Sequence, residues 1–408
     1  MPELVLPGGN LEKLKTAAAF GADAVYFGGK DFSLRAYAGN FELREMAAAI
    51  TYLHQMNKKA YITVNITAHN RDLALLPAYL EGLASLQPDA LIISDPGVMR
   101  LALQYAPGIS LTVSTQANIC NYESAAFYRD LGAARLVLAR ELSLDEIAEI
   151  HDKTEIELEI FIHGAMCMAY SGRCLLSHYL TGRSANRGAC AHPCRYHYAL
   201  QEEKRPGQFF PLEEDDRGSY ILNSRDLCLL EYLPSLMDLG IDAFKVEGRM
   251  KSPLYVASAA SIYRSAIDAY QESGRAFPPD QREAWLTELR LTATRPFTDG
   301  FMEPPVSDMQ DWDKADSDIR AEFCGIIRGF VAQERLLEVE QRANFGPGDS
   351  LEILVPGGSI IRLDLQLLLN EEMQVIDRAR HARQRVFLPY YEPLPEYSIL
   401  RRVERQHA

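Results

Sequence analysis

The chain has 408 residues, 47% of them hydrophobic and 24% charged, and a formal net charge of −14. That composition describes a globular protein long enough for one large domain and a smaller one, and its acidic field opposes indiscriminate attraction to nucleic acid or anionic lipid while leaving room for a local basic patch. The opening "MPELVLPGGN" has neither the basic start nor the apolar run of a secretory leader, and no stretch approaches 18 uninterrupted apolar residues, so the expectation is a cytosolic chain with reduced thiols and no membrane partner.

Short apolar or β-branched runs recur along the first 250 residues: "ELVLPG" (3–8), "DAVYFGG" (23–29), "AYITVN" (60–65), "ALIISD" (90–95), "LTVSTQ" (111–116), "RLVLAR" (135–140), "LEIFIHG" (158–164) and "AFKVEGR" (243–249). Between the first seven lie amphipathic segments such as "NLEKLKTAAAFG" and "NYESAAFYRDLG", each closing on a glycine as a helix C-cap does. Nearly continuous apolar strands fit a parallel sheet buried on both faces, and eight of them count to a (β/α)8 TIM-like barrel; a doubly wound open sheet is the competing arrangement. Gln116 and Asn118 end strand five, and His163 ends strand seven, so all three are placed at the barrel mouth, His163 either as a catalytic group or as hydrogen-bonded scaffold.

About 80 residues separate strands seven and eight, far more than a βα connection needs. This stretch, about 164–242, is read as an insertion at the C-terminal mouth, where barrels of this kind place their chemistry. It carries Cys167, Cys174, Cys190 and Cys194 with the spacing C-x6-C-x15-C-x3-C, while Cys120, Cys228 and Cys324 stand alone. Four clustered thiols in a Gly-, Ser- and Arg-rich stretch suit a soft metal, either zinc or an iron–sulfur cluster; ordinary core cysteines are the alternative. Cys228, in "NSRDLCLLEYLP", is read as a core residue on an apolar helical run and as the reserve ligand. Arg173, Arg183, Arg187 and Arg195, interleaved with Tyr170, Tyr179, Tyr196, Tyr198, His178, His192 and His197, offer cations for phosphates and rings for unpaired bases; a solvated loop with its arginines paired to carboxylates is the alternative.

Strand eight brings "KVEGRMKS". On a strand, Lys245, Glu247 and Arg249 point to one side, and two cations flanking a carboxylate there can hold a small dianion, with Glu247 orienting it or moving protons. A structural ion-pair layer inside the barrel is the alternative. After the helical "VASAASIYRSAIDAYQESG", period-two alternation with Gly and Pro turns from about residue 318 predicts a small C-terminal β-barrel or sandwich. The expected domains are 1–317 and 318–408.

The stretch "ELEIFIHGAMCMAYSGRCLLS" resembles the signature of the collagenase-like peptidase U32 family at Glu159, Phe161, Gly164, Ala165, Met166, Cys167, Gly172, Cys174, Leu176 and Ser177. "PGGNLEKLKTAAAFGADAVYFGG", "STQANICN", "NSRDL" and "KVEGR" resemble further family blocks, so that the likeness spans about residues 1–330 and the tail resembles the family's C-terminal β domain. The family includes peptidases and oxygen-independent hydroxylases. The resemblance implies, first, the branch that converts the tRNA wobble uridine to 5-hydroxyuridine with prephenate as cosubstrate. With it come a 4Fe-4S cluster on the four loop cysteines and tRNA as partner. A U32 peptidase is the alternative, and a hydroxylase of ribosomal RNA or of a ubiquinone precursor the second; neither an H-E-x-x-H helix nor a G-x-S-x-G elbow is present. Assembly with itself or with a family paralogue is left open.

Overall fold

The computed structural model describes residues 1–34, 40–167, 169–195, 200–201, 209–210, 214–215, 218–219, 225–303 and 319–405. Seven parallel strands run in chain order: β1 (Glu3–Pro7), β2 (Ala24–Gly28), β3 (Lys59–Val64), β4 (Ala90–Ile93), β5 (Ser110–Val113), β6 (Arg135–Val137) and β7 (Glu157–Ala165). The eighth, Ala243–Val246, pairs in parallel with both β7 and β1 and closes the barrel. The strand-and-helix alternation expected from the sequence is therefore the architecture. Helix starts are locally encoded. Asp95 caps the helix Pro96–Tyr105 by accepting from the Gly97 and Val98 N–H groups at 2.8 and 3.0 Å, and Ser143 with Glu146 forms a capping box at the head of Leu144–Lys153.

Period-two alternation turns Val5, Ala24, Tyr26, Tyr61, Ala90, Ile92 and Ala243 into one buried cluster inside the barrel. Its three alanines are small, which leaves volume for the long charged side chains of neighbouring strands. β7 is longer than its neighbours, and its end does a second job: His163, Gly164 and Ala165 pair antiparallel with Cys228, Leu227 and Asp226, and the strand Phe297–Thr298 lines up beyond them. The insertion thus returns to the rim as a strand. Cys228 lies on that strand, not on a helix as its apolar surroundings suggested, and it is buried.

Two compact units are present. One comprises Met1–Leu14, Asp23–Met250 and Arg295–Asp316; the other comprises Lys15–Ala22, Lys251–Thr294 and Ser317–Ala408. In the second, a six-stranded antiparallel sheet has the order Ile360–Asp364, Ser350–Leu354, Ile399–Arg405, Ile319–Val331, Leu336–Gln341, Arg385–Pro389. Its two outer strands do not pair with each other, so the expected small barrel is a half-barrel, filled by Cys324, Ile327, Leu337, Val339, Ile353, Leu388 and their neighbours. Arg401, 1% exposed, bonds Glu352 at 2.8 Å and Glu288 at 2.9 Å and so ties the helix Pro279–Arg290 to the sheet.

Candidate active site: a cationic cavity and a cysteine loop

At the C-terminal ends of the barrel strands lies a cavity with about 610 Å³ of empty space counted to its open mouth. Tyr26, Thr63, Asn65, Ile92, Ser114, Gln116, Val137 and Phe161 line it, together with Arg140, Lys245, Glu247 and Arg249. Four of the five catalytic candidates are therefore brought together. The strand ends at Val246, however, so Arg249 reaches the cavity from the turn that follows, not from strand alternation. At the end of β5, the Ser114 hydroxyl accepts from the Gln116 N–H at 3.3 Å, and Asn118 takes a left-handed φ of 61°, a tight turn that presents Gln116 to the cavity. His163 is elsewhere: 2% exposed, its ring meets Phe297 edge-on at 5.4 Å and its carbonyl accepts from the Glu247 N–H. It does not line the cavity with the other four.

The two cations of the "KVEGR" motif are already engaged. Lys245 Nζ sits 2.5 Å from Glu159, with the two side chains 5% and 0% exposed, and 4.4 Å above the Tyr26 ring. Glu159 in turn meets Arg135 at 3.4 Å, and Arg135 reaches Glu3 at 3.1 Å and Glu157 at 2.8 Å. Burial alone would push the Glu3 carboxyl up, but Arg135, Tyr61 and Lys59 together hold it below the usual carboxylate range. For Lys245 this is the structural ion-pair layer, and it forms a floor beneath the cavity. Arg249 donates to the Leu34 carbonyl at 2.7 Å, the Ser33 hydroxyl at 3.0 Å and the Asn40 side-chain carbonyl at 2.5 Å, wrapping the loop after β2. Glu247, half-buried, accepts from the Tyr26 hydroxyl at 3.4 Å.

The cysteine loop forms part of the cavity wall. Ala185 lines the cavity, and Gly172, at φ +76°, lies so close to the Gln116 carbonyl that a Cβ would stand 2.5 Å from it; no other residue type fits there without displacement. None of the seven cysteines is in a disulfide; Cys167 is exposed and Cys174, Cys190 and Cys194 are half-buried. The His192 N–H donates to Cys190 Sγ at 3.4 Å, and Ser177 braces the loop by donating to the Arg183 carbonyl and accepting from the Ala191 N–H. The donor chemistry thus fits a soft metal or cluster. Among the described residues, no three His, Cys, Asp or Glu side chains converge as a ligand set.

The arginines expected to face RNA divide. Arg173 is exposed, as are Tyr170, His178 and Tyr179, the last 86% exposed. Arg183 folds back onto the Ala189 and Cys190 carbonyls at 3.0 and 3.4 Å. Arg187 grips Asp72 through both η nitrogens at 2.7 and 2.9 Å and so takes the paired role. The side chain of Arg195, and Tyr196, His197 and Tyr198, lie outside the described residues. Arg187, helped by the His69 N–H, holds the Asp72 carboxyl down to about 2. Because that value is depressed, the pair's contribution is complete above the ordinary carboxylate range and is lost only as pH falls through about 2. Asp72→Asn at neutral pH is expected to raise amide hydrogen exchange across 182–188 on the order of fivefold; unchanged exchange would remove this pair as the loop's anchor.

A closed parallel barrel with a polar, cation-rich cavity at its C-terminal mouth defines an enzyme of the (β/α)8 class. Residues 9–310 match Peptidase family U32 and residues 320–401 match the Peptidase family U32 C-terminal domain. The chain belongs to peptidase family U32. It is 37% identical over 384 residues to the tRNA hydroxylation protein P1 of Bacillus subtilis, covering 94% of this chain and 90% of that one. To the tRNA hydroxylation protein P of Escherichia coli it is 35% identical, covering 98% and 96%. To the collagenase of Porphyromonas gingivalis it is 31% identical, covering 99% and 98%. No helix among the described residues is long and apolar enough to cross a membrane.

Sequence reasoning missed Glu159, Arg135 and Arg140. Glu159 was recognised only as a signature position; its partner lies 86 residues away in the chain, and nothing local announces a cross-strand pair. Arg140 ends the run "RLVLAR" and carried the one available signal, a cation at the C-terminal end of a barrel strand.

Proposed function

We propose that the protein hydroxylates tRNA, converting the wobble uridine to 5-hydroxyuridine without oxygen, with prephenate as cosubstrate and a 4Fe-4S cluster on Cys167, Cys174, Cys190 and Cys194. The observation that carries the reading is the cavity, which among the described residues is lined by three cations, Arg140, Lys245 and Arg249, and one carboxylate, Glu247, and one wall of which belongs to the cysteine loop. A dicarboxylate is the small-molecule class that such a lining attracts. Lys245, fixed on Glu159, supplies charge from below; Glu247, on the Tyr26 hydroxyl, is placed to hold or move a proton; the Gln116 amide orients the ligand. The cluster, when bound, supplies one-electron redox chemistry. Arg173 and the exposed Tyr170 and Tyr179 offer a cation and stacking rings to an unpaired stretch of RNA.

The relatives named for tRNA hydroxylation support the RNA substrate, and the collagenase supports the peptidase alternative. Nucleosides from tRNA of cells with and without the gene separate the two. Loss of 5-hydroxyuridine on deletion and its return on complementation are expected. Unchanged tRNA nucleosides together with peptide cleavage by the pure protein would replace the reading with proteolysis, while a missing ribosomal RNA or quinone hydroxylation would move it to another substrate. Protein purified without oxygen is expected to contain iron and acid-labile sulfide; one zinc and no iron would overturn the cluster.

A further inference from the structure

Arg140 follows β6 and belongs to two places at once. Its guanidinium lines the cavity and lies over the Phe161 ring, 4.8 Å from the centroid, and Phe161 lines the same cavity. Its η nitrogens meanwhile reach into the root of the cysteine loop. Nη1 donates to the Ala165 carbonyl at 2.6 Å, two residues before Cys167, and Nη2 donates to the hydroxyl of buried Ser171 at 3.1 Å, three residues before Cys174. A guanidinium has five N–H donors. Two are used by the loop, which leaves Nε and one N–H of each η nitrogen for an anion in the cavity.

The same stretch touches the cavity wall a second time, where Gly172 lies against the carbonyl of Gln116. The far side of the loop is fastened independently, by Arg187 on Asp72 and by the Thr67 N–H donating to the Asn186 carbonyl. Ala165 is also held by its strand pairing with Asp226, so the segment that follows it, with the first two cysteines, is fastened to the cavity wall through Ser171 and Gly172. We propose that Arg140 is a positioning residue that couples a carboxylate in the cavity to the order of this segment. A ligand carboxylate on the free donors fixes the guanidinium plane, and a fixed plane holds Ser171, and with it the segment leading to Cys174, in place. By reciprocity, an ordered loop tightens the carboxylate's hold.

The inference rests on the reading of the cavity as a carboxylate site, and the experiment tells the two apart. Full-length protein prepared without oxygen is titrated with prephenate, and amide hydrogen exchange is followed across 165–174 and, as an internal control, across the strand Leu336–Gln341. In the wild type, saturating prephenate is expected to slow exchange across 165–174 at least about fivefold and to leave the control unchanged. Arg140→Met is expected to weaken prephenate binding roughly tenfold and to abolish the slowing even at saturation. Ser171→Ala removes one loop contact without touching the cavity cations, and is expected to keep most of the affinity while losing most of the slowing; it carries the test if Arg140→Met does not fold. Slowing that persists in both variants, or a wild type that binds prephenate with no slowing, overturns the coupling alone. A wild type that binds no prephenate overturns the carboxylate site, and the coupling with it.

Discussion

Single replacement of Cys167, Cys174, Cys190 or Cys194 by alanine is expected to abolish tRNA hydroxylation in cells, whereas Cys120→Ala, Cys228→Ala and Cys324→Ala leave it intact. The contrast has a physical basis in where the seven thiols stand. Cys324 is fully buried in the half-barrel core, and burial pushes its thiol up to about 12, far from the thiolate a metal requires. Burial raises the Cys120 thiol as well, and the nearby carboxylates of Glu141 and Glu146 add to the effect. Cys228 is buried in a strand paired with His163, on the rim but outside the loop. The four loop cysteines are instead half-buried or exposed, on a segment braced by Ser177 and fastened to the cavity wall. Losing even a side chain that only supports a metal ligand commonly costs about 10- to 100-fold in metal affinity or activity, and losing a ligand itself costs more, while a core Cys changed to Ala loses modest packing. Measured 5-hydroxyuridine and iron content should fall together in the four and in none of the three. Normal 5-hydroxyuridine in all four loop variants would end the cluster-enzyme reading.

The barrel was legible because its information is local. A buried parallel strand writes itself as a continuous apolar run, and a helix as a cap, an amphipathic stretch and a glycine, so "ALIISD" and "NYESAAFYRDLG" carry their own assignments. The insertion was legible by arithmetic, since a gap of about 80 residues exceeds any βα turn. What the sequence could not show is which charge meets which. Lys245 and Arg249 read as two equivalent cations around Glu247, yet one is spent on Glu159 in the barrel floor and the other on the loop after β2. Arg187 and Arg173 lie 14 positions apart in the same loop; one closes on Asp72 and the other faces outward. Pairing of this kind is fixed by register between distant strands, and residue spacing along one chain does not encode it. The helical placement of Cys228 failed for a related reason: a short apolar run has no period of its own, and its partner strand, β7, decided its form.

The second large effect is expected beneath the cavity. Glu159→Gln keeps the side chain's shape but removes the carboxylate that Lys245 and Arg135 share in a region 0 to 8% exposed. Lys245 is left with its ammonium buried and its ion pair gone, whereas Arg135 keeps Glu3 and Glu157. Breaking one side of a buried pair costs about 3–5 kcal/mol, because the remaining charge stays desolvated without compensation. Urea unfolding of Glu159→Gln should show a loss of that size. Removing both charges should behave differently: Glu159→Gln with Lys245→Met leaves no isolated ammonium, and the double variant should recover at least half of the lost stability. Its cavity, deprived of the charge in its floor, should nevertheless bind prephenate more weakly than the wild type. Stability that returns without affinity would show that the pair holds a cation for the ligand as well as holding the barrel together. A Glu159→Gln protein within about 1 kcal/mol of the wild type would mean that the floor tolerates an unpaired lysine, and Lys245 would then lose its assigned place as a fixed charge beneath the ligand.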